Sequence, residues 1–396
     1  MLSYLCKTNL ISHSDSQIHS SLAGIYLHIP FCKSKCYYCD FYSTNELSQT
    51  DRMINALCTE IASRCGYLTD QEPIETIYFG GGTPSLLEEK HFEMLFDSLR
   101  QSFHLNAVTE ITLEANPEDL TDSFLSMLVS FHFNRLSIGI QSLNELELSL
   151  LNRRHTVQKA TEAIEKAKKY FSNISIDLMF GLPQQSIYSW SETLNKAIEF
   201  DIQHISAYQL TIEKGTMLYR QVQKGQTRLP SDEWSTTMYL MLVNTLKKAG
   251  FEHYEISNFA MPSFRSKHNS SYWQGNHYLG VGPSAHSYNG VSRQWNIANH
   301  RLYMKGIETH RPNFEMEWLT EKDHFNEFII TSLRTISGIE LETCTKRYGI
   351  EATEELLRKA KKYDHSELLT ITDKNITLTT KGFWLSDGIM VDFMME

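Results

Sequence analysis

The stretch GIYLHIPFCKSKCYYCDFYS, residues 24–43, joins a β-branched and aromatic run to a loop with cysteines at 32, 36 and 39. Side chains of the first kind fit a pleated, buried surface, so residues 24–30 read as a strand. The loop then sits at the carboxyl end of that strand. Parallel α/β folds assemble their sites at this end, and three thiols within eight residues make the loop the first candidate for chemistry.

Five more runs of the same kind follow: TIYFGGG (76–82), EITLEAN (110–116), RLSIGIQS (135–142), NISIDLMFGLP (173–183) and HISAYQLT (204–211). Between them lie stretches with helical spacing of apolar residues, such as ELSLLNRRHTVQKATEAIEKAKKYF (147–171). Strands alternating with helices predict a parallel sheet of βα units. Consecutive runs start 25 to 52 residues apart, room for one right-handed crossover each. Five of the six run into polar or glycine-containing clusters that should converge on one face. Six units are fewer than the eight of a closed barrel, so the expected fold is α/β, an open, partial (βα)6 barrel spanning 24–215. A polar extension, 1–23, precedes it, and 216–319 reads as helices with aromatic, glycine- and histidine-containing loops. Residues 320–396 read as several helices, a strand pair in LLTITDKNITLT turning at Asp373 to Asn375, and a last helix: a mainly helical, winged-helix-like module.

The composition, 41% hydrophobic and 21% charged, is that of a globular protein, and the net charge of -10 provides no basic stripe for phosphates, which excludes nucleic acid as a partner. The one basic helix, EELLRKAKKY (354–363), opens with two acids and is better suited to a lid or partner surface. Neither a signal-peptide core nor the ~18-residue apolar run of a membrane helix occurs, so a soluble, cytoplasmic protein is expected. Seven cysteines, an odd number without regular spacing outside 32–39, point to a reducing compartment. Cys6, Cys58, Cys65 and Cys344 read as buried or incidental thiols.

Three thiolates at CxxxCxxC spacing can wrap one face of a cubane and bind three of its four irons, leaving the fourth open for reaction. A zinc site would need a fourth ligand nearby, whereas His28 lies inside the strand and Asp40 follows Cys39 directly. Glycines 80–82 in YFGGGTPS allow backbone to approach a ligand, although alone they would read as a tight turn. Glu114, alone, would read as a solvated charge.

In this order, with Tyr38 before the last cysteine, the motifs resemble the radical S-adenosylmethionine (SAM) superfamily. In that family the open iron chelates SAM, and an electron from the cluster cleaves the sulfur to 5′-carbon bond to give a 5′-deoxyadenosyl radical. The resemblance implies a [4Fe–4S] cluster on Cys32, Cys36 and Cys39. Within the superfamily, YLHIPFCKSKCYYC, GGGTPS, EANPE, IGIQSLN, LLNRRH, DLMFGLPQQ, HNSSYW, YLGVGPSAHSY and LTTKGFWLSDGI resemble, over roughly 24–395, the group holding the oxygen-independent coproporphyrinogen III oxidases (HemN) and their sister haem chaperones (HemW). Matching positions imply Tyr26, Gly81, Gly82, Thr83 and Glu114 at a first SAM, and Gln141, Arg153, Asp177, Thr211 and His286 at a second. Without the resemblance, Gln141 and Asp177 read equally as helix caps and Arg153 as a helix-face ion pair.

Two departures separate this chain from the oxidases. They carry a fourth cysteine where Phe41 stands, and a longer arm ahead of the first strand. HNSSYW, His268 to Trp273, matches the motif that marks the haem-chaperone branch. A neutral imidazole suits haem iron, and Tyr272 and Trp273 suit a macrocycle; His268, Asn269, Tyr272 and Trp273 are therefore the expected haem residues, with His277 and His286 as alternative ligands. The expected function is a haem chaperone that delivers haem to apo-haemoproteins, respiratory ones among them. The alternative is oxidative decarboxylation of coproporphyrinogen III in porphyrin biosynthesis, by a coproporphyrinogen dehydrogenase type of enzyme. The resemblance also implies an electron donor such as flavodoxin or ferredoxin, and leaves open a homodimer and a peripheral membrane contact.

Overall fold

The six runs form six parallel strands, β1 (Ala23–Ile29), β2 (Ile74–Gly81), β3 (Glu110–Ala115), β4 (Arg135–Gln141), β5 (Ile174–Phe180) and β6 (His204–Gln209), paired in that order. The crossovers carry α1 (Thr50–Ser63), α2 (Glu89–Ser102), α3 (Asp122–Ser130), α4 (Glu145–Leu150) with α5 (Val157–Ala167), and α6 (Ile187–Glu199). This is a computed structural model; the residues described are 22–69, 72–363 and 365–395. Residues 1–21, nearly all of the polar extension expected at 1–23, lie outside them.

Each strand is two-faced. Ile25, Leu27, Ile29, Ile77, Phe79, Leu113, Leu136, Ile138, Ile176 and Ile205 are buried in one core cluster with α1 residues such as Ile54 and Leu57. Burial of each such side chain contributes roughly 1.5–3 kcal/mol. The other face is polar: Tyr26, Tyr78, Thr112 and Arg135 are register neighbours across β1 to β4, and Glu114, Ser137, Ser175 and His204 across β3 to β6. Strands of a flat parallel sheet, covered by helices on both sides, read as continuous apolar runs. Alternation here reflects a curved sheet, with helices outside and a polar chamber inside.

The segment 216–319 departs from the expectation of helices and loops. It holds α7 (Met217–Gln223), α8 (Asp232–Lys248), α9 (Lys267–Trp273) and α10 (His300–Glu308), but also six strands: β7 (Glu252–Glu255), β8 (Asn258–Ala260), β9 (Tyr278–Val281), β10 (His286–Tyr288), β11 (Ser292–Asn296) and β12 (Phe314–Trp318). They extend the sheet on both sides, giving the open order β12-β11-β10-β9-β1-β2-β3-β4-β5-β6-β8-β7. At three to five residues each they are too short to show a period in sequence. The free edges of β1 and β6 receive β9 and β8 directly, and β10, β11, β12 and β7 are added outward from those two.

One buried carboxylate fastens this extension to the core. Glu60 of α1, 2% exposed, accepts from the Tyr303 hydroxyl at 2.5 Å, the Asn296 amide at 2.7 Å, the Gly282 N–H at 2.8 Å and Arg64 at 3.2 Å. Arg64 also reaches the Gly280 carbonyl and the Ser287 hydroxyl.

After β12 come α11 (Glu321–Leu333), β13 (Ile339–Glu340), α12 (Leu341–Tyr348), α13 (Ile350–Ala360), β14 (Leu369–Ile371), β15 (Asn375–Leu378), α14 (Thr380–Trp384) and α15 (Ser386–Phe393), with a small sheet ordered β13-β15-β14. Helix, strand, two helices and a hairpin in that order make a winged-helix arrangement. Its basic helix is engaged internally: Arg358 pairs with Glu355 and Lys359 donates to the carbonyls of Phe393 and Met394. The module is tied to the core by Arg334, which meets the buried Glu255 at 3.0 Å and lies over the Trp273 ring at 4.3 Å.

Replacing Glu60 by leucine would remove the acceptor of three buried donors, Tyr303, Asn296 and the Gly282 N–H, and the ion-pair partner of Arg64. Glu60→Leu is expected to lower the unfolding free energy by about 3–5 kcal/mol, read by chemical denaturation; a loss below about 1 kcal/mol would show that the extension is held by the strand ladder alone.

Candidate functional site

The cysteine loop leaves β1 at Pro30 and returns at Thr44. Its legs are joined by Cys32 N–H to Thr44 O at 2.9 Å and Thr44 N–H to Pro30 O at 2.7 Å. The tip is fixed from the other side, where Tyr37 N–H donates to Leu151 O and the Asn152 amide to Lys35 O. All three cysteines are half-buried. Two of the sulfurs already carry donors: the Thr83 hydroxyl on Cys32 at 3.4 Å and the Arg153 guanidinium on Cys36 at 3.5 Å. Burial pushes the Cys32 thiol up and the Cys39 thiol to about 11, so metal ligation must supply the deprotonation. Among the described residues no three or more His, Cys, Asp or Glu converge on one ion. A cubane does not ask for that, since each thiolate takes its own iron, and donors to the sulfurs are what such a cluster uses to tune its potential. The donor set fits a [4Fe–4S] cluster.

Beside the loop runs the end of β2. Gly82 N–H donates to Ile29 O at 2.8 Å, and a Cβ there would lie 2.7 Å from the carbonyls of Ile29 and Phe31. Gly81 has φ +103, and a Cβ on it would fall 2.6 Å from the His28 ring. Both positions require glycine. The Gly81 N–H donates to Glu114 at 3.0 Å, and Tyr78 donates to the other Glu114 oxygen at 2.8 Å. Burial raises the Glu114 carboxyl to about 7 against those two hydrogen bonds. Tyr26 stacks on Tyr78 and donates to His28 Nδ1 at 3.1 Å, while His28 Nε2 donates to Tyr42 O at 2.9 Å.

The second group of expected residues lies on the next strands. Gln141 adopts φ 68 at a bulge between Gly139 and Gln141, a left-handed backbone that costs a residue with a Cβ of order 1 kcal/mol. Its amide lies against Gly139, where a Cβ would come 3.0 Å from Gln141 Nε2 and 3.4 Å from an Arg153 nitrogen. Arg153 donates to Asn116 Oδ1 at 2.7 Å and Gly139 O at 2.5 Å, and its buried Nε has no partner. Asp177 accepts from Ser137, and burial raises its carboxyl to about 6. Asn116, in the EAN cluster, carries no sequence signal of its own beyond its place at the end of β3; its amide donates to Thr83 and its oxygen receives Arg153, so it joins the two groups. Thr211 is exposed on the loop after β6, and His286 stands on β10.

A cavity of about 1200 Å³ opens between this face and the C-terminal module, lined by Tyr26, Phe41, Tyr272, Trp273 and His286 on the core side and by Phe328 and Tyr348 on the other. That exceeds the roughly 300–1,000 Å³ of ordinary ligand pockets. Phe41, 68% exposed, stands at its rim. His268 is behind the wall: 1% exposed, with Nδ1 hydrogen-bonded to Thr76 at 2.8 Å, Nε2 to the Tyr272 hydroxyl at 2.8 Å, and its ring on Tyr78 at 4.9 Å. Burial lowers its pKa to about 3. In this arrangement both nitrogens are engaged, so His268 braces Tyr272 and offers no open coordination position. Asn269 is half-buried on the same helix.

Because its folded-state pKa is raised, Glu114 contributes stability that is full below its ordinary value of 4.5 and is lost as pH rises through about 7. Glu114→Gln, which does not titrate, should therefore show a flatter stability profile between those values than the unaltered chain; urea denaturation across that range measures it, and parallel profiles would contradict it.

Residues 26–197 match the Radical SAM superfamily model and 319–385 the HemN C-terminal domain. A haem chaperone HemW of Lactococcus lactis is 34% identical over 94% of this chain and 97% of its own. The HemW of Bacillus subtilis is 33% identical over 95% of this chain and 100% of its own. Coproporphyrinogen III oxidase (HemN) of Escherichia coli, a radical SAM enzyme, superposes with a TM-score of 0.82 at 24% identity, covering 95% of this chain and 90% of that one, which shows the shared fold. With cysteine loop, glycine corner and C-terminal module in that family's order, the chain belongs to the HemW family of haem chaperones within the radical SAM superfamily.

Proposed function

We propose that this protein holds haem and delivers it to apo-haemoproteins, on a scaffold that binds a [4Fe–4S] cluster through Cys32, Cys36 and Cys39 and SAM through Tyr26, Gly81, Gly82, Thr83 and Glu114. The observation that carries the reading is the aromatic-lined cavity of about 1200 Å³ beside the cluster loop, with Phe41, Tyr272 and Trp273 on its walls. A planar, largely apolar macrocycle needs such a space, with rings to stack on. When bound, the cluster supplies one-electron chemistry to SAM. The chain's own part is to bring β2 against the cysteine loop at Gly81 and Gly82, to present the carboxylate of Glu114 to the ammonium or hydroxyl groups of SAM, and to donate to two sulfurs from Thr83 and Arg153. The acceptors include haemoproteins of respiration, the reductant is a flavodoxin- or ferredoxin-like donor, and the reading places the protein in the cytoplasm. Among the described residues no helix is long and apolar enough to cross a membrane.

Anaerobic reconstitution followed by iron and sulfide counting and a haemin titration tests this. We expect about four irons per chain and a Soret band that saturates, with Tyr272→Ala weakening haem by roughly three- to ten-fold, the size of one aromatic contact of about 0.5–1.5 kcal/mol. No uptake of haem would sink the reading.

A second reading, oxidative decarboxylation of coproporphyrinogen III, is favoured by one observation: Gln141, Arg153 and Asp177 are all present, with the Arg153 Nε left unpartnered and buried. Under the preferred reading an anaerobic assay with SAM and a reductant yields no protoporphyrinogen; sustained turnover would reverse the order of the two.

A further inference from the structure

Haem iron is bound by a neutral imidazole whose ring nitrogen is open. Three histidines line the cavity: His28, His286 and His324. His28 is spent, since Nδ1 receives the Tyr26 hydroxyl at 3.1 Å and Nε2 donates to the Tyr42 carbonyl at 2.9 Å. His268 and His277 do not line the cavity. The first has both nitrogens engaged, and the second holds its Nδ1 on Glu72 at 2.5 Å.

His286 differs on each count. It is exposed on β10, a strand paired with β9 and β11, and among the described residues no hydrogen bond ties its ring. The ring is held instead by stacking on Trp295, centroids 5.9 Å apart and planes 23° apart. Its position is therefore set by rigid strand and aromatic packing while both nitrogens stay available. His324, on α11 of the C-terminal module, also has an open ring, but among the described residues no aromatic ring packs on it to fix its position as Trp295 fixes His286.

The cavity also contains an arginine without a carboxylate partner among the described residues, although it hydrogen-bonds Tyr348. Of its three arginines, Arg265 is paired with Glu252 at 3.1 Å and Arg293 with Glu327 at 2.6 Å. Arg347 of α12 has no ion pair among the described residues and rests over the Phe328 ring at 6.0 Å. A haem carries two propionates, and a guanidinium at the rim is the group that recognises a carboxylate.

We propose that His286 is the axial ligand of the haem cargo and that Arg347, on the facing module, binds a haem propionate. The inference rests on the haem-chaperone reading and deepens it. It moves the ligand from the HNSSYW helix to β10, and it assigns His286 to haem in place of the second SAM contact expected from sequence. The helix keeps a supporting part, since His268 fixes the Tyr272 hydroxyl that borders the cavity. Haem would then bridge core and C-terminal module, so that separating the two releases it.

Haemin titrations of the full chain, anaerobically reconstituted, with His286→Ala, His268→Ala, His324→Ala and Arg347→Ala variants, test this. The unaltered protein should show an imidazole-ligated haem spectrum. His286→Ala should lose that signature and bind about ten-fold or more weakly, and added imidazole should restore the band. His268→Ala and His324→Ala should keep the signature. Iron and sulfide content reports whether each variant is folded, and His286→Gln stands in if the alanine variant is not. Arg347→Ala should bind haemin no better than its dimethyl ester, whereas the unaltered protein should prefer the free acid. A His286→Ala protein with an unchanged spectrum, or loss that follows His268→Ala or His324→Ala instead, overturns the ligand assignment; an unaltered preference in Arg347→Ala overturns the propionate contact. Failure of the unaltered protein to bind haem is a different outcome, which removes the chaperone reading itself.

Discussion

The close passage of β2 against the base of the cysteine loop is the contact on which the site depends. Gly82 reaches the Ile29 carbonyl at 2.8 Å, and a Cβ on either Gly81 or Gly82 would meet a neighbour at 2.6 to 2.7 Å. Nothing nearby can give way cheaply. The Gly82 obstacles are carbonyls of β1 and the loop, and the Gly81 obstacle is the His28 ring, held at both nitrogens. This one approach sets the loop at its distance from β2, turns the Gly81 N–H toward Glu114, and brings the Thr83 hydroxyl to Cys32.

From that corner the chemistry spreads along the inner face of the sheet. Asn116 carries it from Thr83 to Arg153, and Arg153 returns it to Cys36 on the loop. The inner face can be polar because the sheet is curved and its outer face alone makes the core. Glu114 and Asp177 are consequently carboxyls in low dielectric, raised to about 7 and about 6 by burial. Such groups cluster where ligands bind, since the field that perturbs them also acts on whatever enters.

The C-terminal module completes the other side. Its attachment through Glu255, Arg334 and the face of Trp273 joins a buried acid, a cation and the last residue of the HNSSYW helix. The large cavity thus belongs to neither part alone. Phe41 at its rim adds apolar wall beside the cysteine loop.

Strand periodicity, crossover lengths and the strand-end clusters were enough to determine the parallel (βα)6 order, because each is local in sequence and each strand is long enough to show its alternation. The cysteine spacing and the glycine run marked the site for the same reason: a three-thiol loop and a Cβ-free corner are written in adjacent residues. Tertiary structure alone decided the rest. The strands of 252–318 are short and join the sheet through β8 on β6 and β9 on β1, with the other four added outward from these, and Glu60 finds partners more than 200 positions away. Whether a histidine is open or spent is likewise invisible in sequence. His268 and His286 are the same residue type near the same cavity, and only packing against Thr76 and Tyr272, or against Trp295, separates a brace from a free imidazole.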